Sequence, residues 1–270
     1  MNKKDRSTYI DNMDVDEAKY KYYEKLNIKP QWEEINVVDS LGRVTFEAIY
    51  AKVSSPNYNA AAMDGILVKS SNTIGATDSN PKILEEDKDF IYINTGNVVV
   101  DPYDAVIMIE DVIDIGDGKI QILKAAYPWQ HIRSIGEDIV ATEMILPSKH
   151  KIRPIDIGAL ISGGIAKVKV YKKPKVGILP TGSEIIDNIK ELDIGKIMDS
   201  NSRVFEALIL EDGGLPNRYS PVKDDYEIIK EAVLKGIKEN DILIIGAGSS
   251  AGTKDYTVNT IRELGEVIIH

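Results

Sequence analysis

Residues 174–184 read PKVGILPTGSE, an apolar run from Val176 to Leu179 that closes on a proline and then on Thr181, Gly182, Ser183 and Glu184. A run this short, bounded by proline and glycine, fits a buried strand, since helices need roughly 10–12 residues. The same grammar repeats downstream. MDSNSRVFEALILEDGG (198–214) opens on capping residues and closes on glycines as a helix does, and RYSPV (218–222) is strand-like. DDYEIIKEAVLKGIKEN (224–240) is helical, DILIIGAG (241–248) is a strand, and TKDYTVNTIRELG (253–265) is a final helix. Strands alternating with helices imply parallel βαβ units with helices on both faces of the sheet, so residues 173–270 are expected to form a doubly wound α/β domain.

Ligands of such sheets lie beyond the carboxyl ends of the strands. One strand ends in Thr181, Gly182, Ser183 and Glu184; another ends in Gly246, Gly248, Ser249, Ser250, Gly252 and Asp255. Small residues let backbone amides approach an anionic ligand, and each loop carries an acidic residue just beyond. A tight connection with an N-cap is the simpler reading of either loop alone. Asp224 and Asp225 stand at a helix start, where one caps and the other meets the dipole, or where they hold a ligand. Asp199, Ser200 and Asn201 occupy a similar place, with the same alternatives.

Upstream the pattern changes. From 51 to 140 short runs such as ILVKS, FIYINTG, DAVIMIEDVIDI and GKIQILKAA are separated by Gly, Asn, Asp and Pro, as in a mostly antiparallel β domain. DIGDGK (114–119) predicts a hairpin, because Asp-Gly tolerates the positive φ of tight turns. In SSPNYNAAAMDGILV (54–68), Asp64 interrupts a run otherwise suited to an interior. Thr95 with Gly96, and Glu137 with Asp138, read by themselves as turn residues. DVDEAKYKYYEKL (14–26) places Ala18, Tyr22 and Leu26 at helical spacing, and IDIGALISGGI is a short helix closed by a glycine pair. The division expected is a helical linker domain from 1–50 and 141–172, a β-rich domain at 51–140, and the α/β domain.

The chain of 270 residues is long enough for more than one compact unit, and 43% apolar with 28% charged residues is an ordinary globular balance. A net charge of −10 argues against a nucleic-acid partner. An anionic ligand would therefore need a local device, such as a helix N-terminus or a divalent cation. There is no cysteine, and His131, His150 and His270 are too scattered for a metal cluster. No run approaches the roughly 20 apolar residues of a membrane span. The basic N-terminus has no hydrophobic stretch of signal length, so cytoplasm is the expected location and no membrane partner is expected.

Taken in order, these motifs resemble one family. AAAMDGILV is similar to the SAMDGYAV signature of the molybdopterin molybdenumtransferases, the bacterial MoeA proteins and the gephyrin E domain. INTGNVVVDPYDAVIMIED (93–111) is similar to the family's TGAPLPPGADAVVMIED, and RSIGEDIVATEMIL (133–146) to its RPAGEDIRAGEVLL. KPKVGILPTGSEII resembles RPRVAILSTGDEL, and IMDSNSRVFEALILEDGG resembles IRDSNSYMLAALLREAG. The family's SGGVSVG loop is GAGSSAG here, which with PWQHIRSIGEDIVATE resembles the branch often fused to a periplasmic-binding-protein-like domain. Past His270 the family continues with a lysine-containing KPGKP segment and a small C-terminal β domain, so the chain is expected to be truncated.

The resemblance implies an elongated multidomain chain whose α/β domain is MogA-like and binds molybdopterin. It implies insertion of molybdate into adenylylated molybdopterin with Mg²⁺-dependent release of AMP; a binding module or scaffold without turnover is the alternative. Asp64, Thr95, Asp138, Glu184 and Asp255 become catalytic candidates. Thr181, Gly182, Ser183, Ser200, Asn201, Gly246, Gly248, Ser249, Ser250 and Gly252 become candidates for binding the pterin nucleotide, and Asp224 and Asp225 for the metal. It further implies a homodimer in which the β domain of one subunit meets the α/β domain of another, and suggests the molybdopterin adenylyltransferase as a protein partner.

Overall fold

The computed structural model describes residues 13–26, 29–246 and 256–269. The chain divides into two compact units, Trp32–Val170, and Tyr171–His270 together with Met1–Gln31.

In the second unit the strand Lys175–Pro180 lies between Leu215–Arg218 and Ile242–Gly246, and both pairings are parallel. The side-chain period of two along a strand sorts its residues onto opposite faces. Leu179 and Ile245 pack with Ile229 and Val233 of the helix Tyr226–Glu239 and with Tyr256 and Leu264 of the helix Tyr256–Leu264. Ile178 and Ile244 turn the other way and share a cleft with Phe205 of the helix Asn201–Glu211. Helices thus cover both faces, as the alternation predicts. The helix Tyr226–Glu239 starts where it does because Oδ1 of Asp225 accepts hydrogen bonds from the amides of Glu227 (3.0 Å) and Ile228 (3.1 Å), the N-cap arrangement.

The first unit contains antiparallel sheets. Gly65–Val68 is the central strand between Phe90–Ile93 and Ala105–Met108. A second sheet orders Lys82–Glu85, Lys119–Ile122 and Val112–Gly116. Ile66, Val68, Leu84, Phe90, Ile107, Ile120 and Ile122 form one core, while Leu67 packs with Ala61, Ile93 and Val106 in another. Burial of each such large side chain contributes about 1.5–3 kcal/mol. The hairpin turn carries Asp117 at φ 53° and Gly118 at φ 70°, the left-handed conformations that Asp-Gly accommodates.

The same unit has a further core in which Val37 and Ile49 meet Leu146, Ile152, Leu160, Ile165, Val168 and Val170. Pro154 begins its helix, Pro154–Ser162, and Asp156 completes a capping box with Arg153. Asp156 is 4% exposed. Its carboxylate accepts from the Arg153 guanidinium (2.9 Å to Oδ1), the Arg153 amide (2.8 Å to Oδ2) and Nε2 of His150 (2.6 Å). Arg153 foremost, and then His150, hold this carboxyl well below the usual carboxylate range against the opposing effect of burial. A depressed folded-state pKa contributes stability that is complete above the unfolded value, about 3.9 for aspartate, and is lost as pH falls through the folded value. Asp156→Asn is therefore expected to lower the urea midpoint at pH 7 and to flatten its decline below about pH 4. Parallel acid limbs for the two proteins would refute this.

The division differs from the expected one. Residues 32–50 and 141–170 do share a core, but it belongs to the same unit as 51–140, and residues before Trp32 group with the α/β unit. The helix Val15–Lys25 is capped by Asp14 as its sequence predicts, yet it buries no residue. Ala18 and Leu26 are half-buried and Tyr22 is 44% exposed. Helical spacing reports a face, and whether that face is covered depends on distant chain.

Candidate functional site

Asp64 is exposed at the turn leading into the central strand, directly before Gly65. Its Oδ1 accepts the Thr95 amide at 2.6 Å. That backbone bond, and next the Thr95 side chain, hold the carboxyl below the usual range, so Asp64 is an anion at neutral pH. The Thr95 amide faces it because Asn94 to Asn97 form a tight turn, with Gly96 at φ 84° and the Asn97 amide bonded to the Asn94 carbonyl. The turn is stitched to the Ala60–Ala61 strand by Gly96 N to Ala61 O (2.8 Å) and Ala61 N to Asn97 O (2.9 Å). On its other edge Ala60–Ala61 pairs with Ile132–Arg133. Arg133 donates through one terminal nitrogen to both oxygens of Asp138, at 2.8 and 2.7 Å, and its Nε reaches Glu137 at 3.3 Å. The Ala60–Ala61 strand thus holds the Thr95 turn on one side and the Arg133–Asp138 pair on the other, while Asp64 reaches the same turn through the Thr95 amide.

In the α/β unit a cleft of about 310 Å³ opens at the carboxyl ends of the strands. Ile178, Ile185, Ile197, Phe205 and Ile244 give it apolar walls, and Thr181, Ser200, Asn201 and Gly246 add polar edges. Asp199, 4% exposed at its side chain, accepts the Ser202 amide (3.1 Å) and a short bond from the Ser202 hydroxyl. Arg218 lies behind this turn. It donates to Ser202 Oγ (2.6 Å), to Asp199 (3.1 Å) and to Asp187. Burial lowers the guanidinium's affinity for its proton, although an arginine stays charged throughout the ordinary pH range.

The family of the MoeA N-terminal region (domain I and II) matches residues 13–164, and the family described as "Probable molybdopterin binding domain" matches 177–270. The chain belongs to the MoeA family. Among relatives, the molybdopterin molybdenumtransferase of Haemophilus influenzae is 30% identical over 270 residues, covering 94% of this chain and 65% of that protein. Gephyrin of Dictyostelium discoideum is 29% identical, covering 89% of this chain and 38% of its own length. The crystal structure of a molybdopterin biosynthesis MoeA protein from Pyrococcus horikoshii superposes with a TM-score of 0.82 at 32% identity, covering 94% of this chain and 67% of that one. The chain thus spans less than two thirds of the Haemophilus relative and well under half of the gephyrin. No helix among the described residues is long and apolar enough to cross a membrane.

In the α/β cleft the loop Thr181 to Ser183 does not present its amides to a ligand, contrary to expectation. Thr181 N and Oγ1 both donate to Gly246 O, at 2.8 and 2.9 Å. Gly182 N donates to Val222 O (2.9 Å), and Ser183 N to Asp224 Oδ2 (3.2 Å). Buried amides must find partners; for Thr181 and Gly182 these are backbone carbonyls, and for the exposed Ser183 the Asp224 carboxylate. Thr181 still lines the cleft, and Gly182 stays free of a side chain beside the Glu184 carboxylate, which lies 3.0 Å from where a Cβ would stand. Ser200 and Asn201 line the cleft as ligand candidates, while the capping role falls to Asp199. Gly248, Ser249, Ser250, Gly252 and Asp255 lie outside the described residues.

Asp224 and Asp225 part company. Asp225 spends Oδ1 on its helix, and Asp224 is tied to Ser183 at both amide and hydroxyl, the Asp224 amide donating to Ser183 Oγ at 3.1 Å. Among the described residues no group of three His, Asp or Glu could by itself hold a metal. Mg²⁺ is usually held by one or two carboxylates together with substrate phosphates and waters. An exposed Asp224 beside Ser183 fits an ion bridged by substrate and does not fit a protein-only cage. The sequence reading missed Arg133, although it heads the same RSIGED motif that supplied Asp138. It also missed Arg218 and Asp187, 31 residues apart, for which no local pattern gives a signal.

Proposed function

We propose that this chain performs the chemistry of the molybdopterin molybdenumtransferases, inserting molybdate into adenylylated molybdopterin with loss of AMP. The observation that carries the proposal is Asp64, an exposed, ionised carboxylate that accepts the Thr95 amide. Asp64 is exposed and belongs to neither core cluster of its sheet. The relatives named above as molybdenumtransferase and gephyrin support the same reading.

In this proposal the α/β cleft takes the pterin nucleotide, with apolar walls for its rings and Ser200 and Asn201 for its polar edge. Asp224, whose Oδ1 accepts no protein hydrogen bond among the described residues, would hold Mg²⁺, with Asp225 and Glu184 as further anionic neighbours. Mg²⁺ supplies charge neutralisation between the acidic loop and the phosphates. In this proposal Asp64, Thr95 and Asp138 would serve the reaction in a homodimer, and the molybdopterin adenylyltransferase is the protein that would hand over the adenylylated substrate.

The test is a titration of the purified chain with adenylylated molybdopterin and Mg²⁺, followed by molybdate while free AMP is measured. The expected result is saturable binding and AMP release that requires both molybdate and Mg²⁺. Binding without any release would favour a binding module over an enzyme.

A further inference from the structure

Asp199 is the carboxylate in the lining of the α/β cleft, and Thr181 at its edge opens the loop that carries Glu184, so an anionic ligand there calls for a cation. Among the described residues Arg218 cannot serve, because its side chain is only 10% exposed and is engaged by Asp187, Asp199 and Ser202. Lys223 precedes Asp224 but makes no side-chain hydrogen bond among the described residues. Lys196 is different. Its Nζ donates to the carbonyl of Ser183 at 2.7 Å. The next residue, Ile197, donates its amide to the carbonyl of Glu184 at 2.9 Å, and Ile197 lines the cleft. The turn that delivers Lys196 closes with its own amide on Asp193 O (3.0 Å), across Gly195 at φ 85°.

The ammonium is therefore placed by backbone bonds on either side of the Ser183–Glu184 peptide and held on a neutral carbonyl. Among the described residues it has no carboxylate within ion-pair distance, although Glu184 and Asp224 belong to the same loop cluster. An ammonium has three donors, and one is spent on Ser183. We propose that Lys196 contacts a phosphoryl oxygen of the pterin ligand and so determines the cleft's selectivity for phosphorylated pterin. This rests on the molybdopterin reading above. It assigns a cation to a site whose amides at 181–183 are already spent within the protein.

The test compares Lys196→Gln and Lys196→Arg with the parent chain, titrating molybdopterin and its dephosphorylated form by calorimetry at low and high salt, with thermal unfolding as a control. Loss of a charge-assisted hydrogen bond to phosphate is expected to weaken molybdopterin binding about tenfold in Lys196→Gln. Lys196→Arg should restore most of the affinity, the difference should shrink at high salt, and the unfolding midpoint should not move. The dephosphorylated ligand should bind the parent and Lys196→Gln alike. Equal losses for both ligands would mean that Lys196 only orders its loop, and would overturn the inference. Parent binding with no loss in Lys196→Gln would overturn it while sparing the functional reading. A parent chain that binds neither ligand would overturn both.

Discussion

Gly65→Ala is expected to abolish the stable fold of the antiparallel unit. A Cβ at this position would stand 1.9 Å from the carbonyl oxygen of Ile107, 2.9 Å from its carbon and 3.0 Å from the amide of Ile109. All of these are backbone atoms, so no rotamer change relieves the clash. Nor can the strand move aside, because Gly65–Val68 is paired on both edges, Gly65 facing Ile93 on one and Met108 on the other. Its side chains Ile66 and Val68 also anchor the core shared with Phe90, Ile107 and Ile120. A shift of the strand would open that core, and losses above about 4 kcal/mol arise from overpacking of this sort. Urea unfolding followed by far-UV circular dichroism would show the effect as loss of the cooperative transition. A midpoint equal to that of the parent chain would show that the strand pairing yields more readily than its geometry suggests.

Asp64→Ala, one residue away, is expected to do the opposite, leaving the unfolding transition in place and, on the function proposed above, stopping AMP release. The carboxylate is exposed and contributes no core contact; what the substitution removes is the acceptor for the Thr95 amide, a group that water can also satisfy. Placed charges and proton acceptors of this kind typically account for roughly a hundredfold or more in rate. Molybdate-dependent AMP release should fall at least that far, with the far-UV spectrum unchanged. Asp64→Asn separates charge from hydrogen bonding, since the amide oxygen can still accept from Thr95. Activity retained in Asp64→Asn would assign the residue to positioning the turn, and unfolding in Asp64→Ala would make it structural.

These neighbours also show how far the sequence could be read. The MDG motif identified Asp64 as out of place in an apolar run, and the Asp-Thr pair followed from family resemblance. Its physical cause, the Thr95 amide, lies 31 residues along the chain. Likewise the helix start at DDYE offered two carboxylates for one cap, and only the observed bonds to Glu227 and Ile228 assign it to Asp225. The loop at 181–183 shows the limit most sharply. Its composition invites a ligand-facing amide cradle, yet Thr181 is matched with Gly246, 65 residues away, and Ser183 with Asp224, 41 away.

What the sequence determined by itself was local and periodic: the alternation of strand and helix in the C-terminal half, the helix starts, the Asp-Gly hairpin and the residue types capable of the chemistry. These depend on propensity, capping and side-chain period, which act within a few residues. Tertiary structure alone decided which polar groups remain available. It consumed the amides of the TGS loop, paired Arg133 with Asp138, buried Arg218 between Asp187 and Asp199, and left Lys196 on a carbonyl with no carboxylate partner among the described residues. The physical reason is that a buried donor or acceptor must be satisfied by whatever the fold brings within about 3 Å, and that partner need not be near in the chain.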